Sequence, residues 1–141
     1  MAGIPIYRRD FRDLAELRVE EADILLKSRR RLGAYYLAGY AVECALKACI
    51  AKQRRRFEFP PKRRSGDKMY SHNLETLVDV AGLGLQLKKQ IAANPDFAAN
   101  WNTVKDWTEE SRYETSGLNA KDLYNAVTGP NGVLPWIRLH W

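Results

Sequence analysis

Four polar side chains stand at 4-3-4 spacing in an otherwise apolar stretch: Tyr36, Tyr40, Glu43 and Lys47. On a helix that spacing places them on one stripe. Glu43 and Lys47 form an i, i+4 pair in the favourable order, acid first. Their neighbours are Ala41, Val42, Cys44, Ala45, Leu46 and Ala48. The stripe reads in three ways: a partly buried structural network, a rim at a dimer interface, or a ligand-facing strip that includes Tyr40, Glu43 and Lys47. Two further sites carry chemistry. His72 either flanks a helix start with Ser71 and Asn73, or serves as a general acid/base or phosphate contact. Arg112 and Tyr113 either pair with Glu109, Glu110 or Glu114, or offer a phosphate a guanidinium fork and a phenol. His72, Arg112 and Tyr113 together could cleave a phosphodiester. The histidine would take the 2′-OH proton and the arginine would hold the charge. Simple binding ranks above catalysis, since no motif fixes their geometry.

Charge adds a second theme. The chain has 141 residues, with 23 Lys and Arg against 17 Asp and Glu, a net of +6. Residues 1–65 hold 16 of the basic and eight of the acidic residues, so the first half carries the whole excess. It concentrates at Arg29, Arg30 and Arg31 and in the run Arg54, Arg55, Arg56 … Lys62, Arg63, Arg64. The run reads as a mobile basic loop over about 54–70, because Pro60-Pro61 stops a helix and no apolar face accompanies the charge. Such a cluster with interleaved aromatics suits a polyanion; it suits a solvated surface equally.

The elements that position these residues are helical throughout. Asp10 to Leu32 reads as an amphipathic helix, with Asp10 as N-cap and Gly33 as breaker. Ala34 to Gln53 is a second, strongly apolar helix. It approaches membrane length, but Glu43 and Lys47 interrupt it. Its apolar character all round predicts a homodimer. Further helices are expected from His72 to Val80, Leu85 to Ala93, Asn94 to about Ser111, Ala120 to Val127 and Val133 to Trp141. No segment alternates with period 2. The expectation is a single all-α domain over residues 1–141, an antiparallel up-and-down bundle of four to five helices. In that topology the basic run, His72, Arg112 and Tyr113 converge on one end.

Several classes are excluded. Two cysteines, five apart on one helix, make neither a disulfide framework nor a zinc site. They read as buried thiols of a reducing compartment. MAGIPIYRRDF lacks an apolar signal region, so the expected location is cytoplasmic, without membrane association. No Gly-rich phosphate loop or GxSxG elbow occurs. No metal or cofactor is expected. Trp101, Trp107, Trp136 and Trp141 read as core and interface residues.

GAYYLAGYAVECALKA, followed by SHNLETL and then WTEESRYE, resembles the HEPN superfamily of small prokaryotic helical proteins. The resemblance spans roughly residues 12–127. It implies a bundle of four or five helices, usually dimeric, acting in RNA metabolism or in defence of the toxin–antitoxin kind, often beside a small nucleotidyltransferase. Many members are metal-independent ribonucleases with an Arg, four to six residues, then a His late in the chain. Here Arg112 is followed by YETSGLNAK, and His140 lies only two residues after Arg138. The resemblance therefore points to a non-catalytic module that binds RNA, a nucleotide or a nucleotidyltransferase partner. A metal-independent ribonuclease with a non-standard site is the alternative. A purely structural interaction module is a third reading.

Overall fold

The computed structural model describes residues 7–54 and 70–141, and all regular structure within them is helical. The basic run from Arg55 to Arg64, and the mobility expected of it, lie outside the described residues, as does the side chain of Arg54.

Helix α1 spans Arg8–Lys27. It starts two residues before Asp10, because Asp10 acts from inside the first turn: its carboxylate accepts the Tyr7 N–H at 3.4 Å. It also ends earlier than expected. The breaker is Arg29, which takes a left-handed φ of 61°, while the Arg30 N–H reaches back to the Leu25 carbonyl at 2.8 Å. A non-glycine residue at positive φ leaves no sequence signature, whereas Gly33 carries the usual signal of a helix end. Gly33 instead lies within α2, Arg31–Arg54, where its Cα faces Leu25.

Helix α2 is the axis of the domain. It packs along the length of α1 as a hairpin and also touches most of the later elements. From Ala41 to Ala51 every side chain but Lys47 is buried within this one chain. The all-round apolarity is thus consumed inside the protomer and gives no separate reason for a dimer. Among the described residues no helix is long and apolar enough to cross a membrane.

The remaining helices are short: α3 Leu74–Val80, α4 Gly84–Ala93, α5 Pro95–Val104, α6 Ala120–Thr128 and α7 Val133–Arg138. Asparagine caps three of them. Asn73, Asn94 and Asn119 accept the N–H groups of Thr76, Phe97 and Asp122 at 2.9–3.0 Å. Each satisfies one orphan donor of a helix start. Between α5 and α6 the chain departs from expectation. The helix does not continue to Ser111 but stops at Val104, and a 3-10 turn follows at Glu109–Tyr113. The cause is Trp107, only 1% exposed, which turns inward against Gly39 of α2 and lies 6.1 Å, ring to ring, from Tyr36. A helix running straight on could not bury it there.

Candidate functional site

The stripe predicted on α2 exists, and Glu43 is its centre. Glu43 is one of two polar residues buried among the described residues. Its Oε2 accepts from Lys47 Nζ at 3.1 Å, and its Oε1 lies 2.8 Å from His72 Nδ1. The three side chains grade outward: Glu43 is 4% exposed, Lys47 12% and His72 48%. A carboxylate taken out of water needs such partners, since an unpaired one would cost several kcal/mol (roughly) at this depth.

Local structure explains why His72 arrives there. Ser71 Oγ accepts the Asn73 N–H at 3.0 Å, and Asn73 caps α3. Capping therefore falls to its neighbours, and the His72 ring is left for Glu43. With Nδ1 donating to a carboxylate, Nε2 is the ring nitrogen available to a ligand. The arrangement can do two things: present a fixed imidazole nitrogen to an acidic group, or move a proton through it.

Above this triad the stripe becomes aromatic. Tyr40 and Tyr36 meet edge to face, with centroids 5.8 Å apart. Burial, and after it the nearby Cys44 and Glu43, hold the Tyr40 phenol above its ordinary range. Arg112 caps the upper end. Its guanidinium lies over the Tyr113 ring, 5.0 Å from the centroid. Hydrogen bonding to Tyr113, then to Tyr36, favours its charged form further. No carboxylate pairs with Arg112 among the described residues, so of its two readings the ion pair to Glu109, Glu110 or Glu114 is not made.

Two expectations of placement are therefore corrected. Arg112 sits on a 3-10 turn rather than at a helix C-terminus, so no helix dipole supports it. It also lies beside Tyr36, whereas His72 lies beside Glu43. Seven residues of α2 separate those two anchors, about 10 Å along the axis. Both sit short of the end where the basic run leaves the helix. His72, Arg112 and Tyr113 thus line one face instead of converging on that end. The inward turn of Trp107 is the physical reason.

The two cysteines are buried, with thiols pushed up to about 12, mainly by burial. The thiolate is the reactive form. Native protein should therefore leave both thiols unlabelled by an aromatic disulfide reagent, and unfolded protein should react at both. Fast labelling of Cys44 or Cys49 in the native state would contradict their placement. Among the described residues no three His, Cys, Asp or Glu side chains gather as a metal site. Trp101, Trp107 and Trp136 are core residues, while Trp141 is half-buried.

Comparison with protein-family models, with curated proteins and with solved structures gives no match to this chain.

Proposed function

We propose that this chain is a non-catalytic RNA- or nucleotide-binding helical module of the HEPN type, with the antiparallel bundle arrangement and homodimeric state which that resemblance implies. The observation that carries it is the half-exposed His72 imidazole fixed on buried Glu43. The capping of α3 is done by Asn73, so among the described residues the ring is engaged only through Nδ1 and its outer nitrogen stays available to a ligand. Tyr40, Lys47, Arg112 and Tyr113 supply further donors and aromatic faces along the same stripe, and the net charge of +6 favours a polyanion. A nucleotidyltransferase partner and a cytoplasmic setting belong to the same proposal. Sedimentation at micromolar concentration should show a species of twice 16.2 kDa; the protomer alone would remove the dimer from it.

The binding test compares substitutions of Arg112. Arg112→Ala should weaken binding of labelled RNA about tenfold, as the loss of a charge-assisted contact does, with little change in thermal stability. Arg112→Lys keeps the charge but not the fork, and should recover only a small part. If Arg112→Lys binds like the parent, a bidentate phosphate contact is wrong. If the parent binds no RNA or nucleotide even at low salt, the whole reading fails.

A second reading is favoured by one observation. A histidine held through Nδ1 by a buried carboxylate is also the arrangement of a general base. RNA cleavage that persists in EDTA and disappears in His72→Ala would establish a metal-independent ribonuclease with a non-standard site.

A further inference from the structure

A second surface lies away from the α2 stripe. Lys52 follows Glu43 by nine residues, which at 100° per residue puts it about half a turn around α2. There it meets the end of the chain: Lys52 Nζ donates to the His140 carbonyl at 3.4 Å. Two arginines join it. The Arg12 guanidinium lies 5.2 Å from the Trp141 ring centroid, and that of Arg138 lies 6.0 Å from the same ring. Arg138 is anchored by Glu16, whose two carboxylate oxygens each accept a guanidinium N–H at 2.9 Å.

The charges do not balance. Glu16 neutralises Arg138, but among the described residues no carboxylate pairs with Arg12 or Lys52. Both project from elements that the core fixes: α1 through Phe11 and Ala15, α2 through Ile50 and Ala51. His140 senses the surplus, since burial and then the Lys52 charge lower its pKa. Two cations without a carboxylate partner on core-anchored helices, one over the half-buried Trp141 indole and the other on the His140 carbonyl next to it, match what a nucleotide offers: a phosphate and a flat π-face.

We propose that Arg12, Lys52 and Trp141, with Arg138 held in place by Glu16, form a contact surface for single-stranded nucleic acid. Arg12 and Lys52 take backbone phosphates. The Arg12–Trp141 pair offers a plane on which a base stacks without regard to its identity. This surface rests on the nucleic-acid reading above but uses none of its residues, so the two can be separated.

The test is fluorescence anisotropy of a labelled oligouridylate with the full chain, titrated across a salt series. Arg12→Gln/Lys52→Gln should weaken binding about tenfold and flatten the salt slope by roughly 1.4, the share of two phosphates on a single strand. Trp141→Leu should weaken binding and leave that slope unchanged. Arg12 and Lys52 lie outside the hydrophobic core, whereas Trp141 packs against its edge, so thermal melts run beside the titrations separate any loss of folding from loss of binding. Unaltered affinity and slope in the double variant would overturn this surface, while a loss in His72→Ala or Arg112→Ala in the same series would keep the α2 reading. Loss in the double variant alone would support this surface and remove the α2 stripe as the binding face. No binding by the parent would overturn both. Inorganic polyphosphate should compete for the oligouridylate poorly; competition as strong as that of unlabelled oligouridylate would make the surface a general polyanion patch and overturn the assignment to nucleic acid.

Discussion

Glu43→Ala is expected to cost about 3–5 kcal/mol of folding free energy, the range for breaking a buried ion pair from one side. The loss has two sources. Lys47, only 12% exposed, keeps its charge without its partner, and His72 loses the acceptor that orients it. Lys47 relieves part of the first by swinging its ammonium toward water along its own stem. That relief favours the lower part of the range. Removing both partners should behave differently. Glu43→Leu/Lys47→Leu deletes both buried charges, and such replacements are often neutral or stabilising. Denaturant unfolding of the two variants reads the difference directly. A cost below about 1 kcal/mol for Glu43→Ala would mean that the carboxylate is effectively solvated.

Gly39→Ala gives the second large effect, and its sign opposes helix propensity. In a helix interior alanine is favoured over glycine by about 1 kcal/mol. At position 39 a Cβ would fall on the Trp107 indole, against its Cγ, Cδ1 and Cδ2 atoms. That ring is 1% exposed and wedged between Gly39 and Tyr36, so it cannot step aside cheaply. Overpacking of this kind costs about 1–3 kcal/mol and occasionally more, enough to outweigh the propensity gain. The variant should therefore be destabilised. It should also shift the 3-10 turn that carries Arg112, and so weaken RNA binding at a distance. Trp107→Leu makes room for the added methyl group. The double variant should then be more stable than the sum of the two single losses predicts. A stabilised Gly39→Ala, or strict additivity, would contradict the contact.

These two positions show what the sequence could and could not disclose. The helical class, the α2 stripe and the i, i+4 pair follow from periodicity, which is local. The Glu43–His72 bond joins residues 29 apart in the chain, and no spacing rule encodes it. The helix start at Ser71 and Asn73 offers a purely structural role for His72, yet Asn73 does the capping and the ring is left for Glu43. Gly39 carried no signal at all, since one glycine in an apolar helix has many uses; the approach of Trp107 gives it meaning. The end of α5 departs from local propensity for the same reason. Local propensity runs the helix on to Ser111, but burying the indole stops it at Val104. That single tertiary preference moved Arg112 to the Tyr36 end of the face. Arg29 ended α1 at a positive φ that no residue type announced. The Arg12–Trp141 contact spans nearly the whole chain and was equally silent.

The central claim is that the face of α2 carrying His72 on Glu43 receives a phosphate-bearing ligand. Chemical-shift mapping tests it most directly, with labelled protein titrated by a short oligouridylate at low salt. The account predicts shifts at Tyr40, Lys47, His72 and Arg112, including the His72 ring resonances, and their loss in His72→Ala. Absence of any shift along this stripe at saturating ligand, or shifts confined to other surfaces, would contradict it.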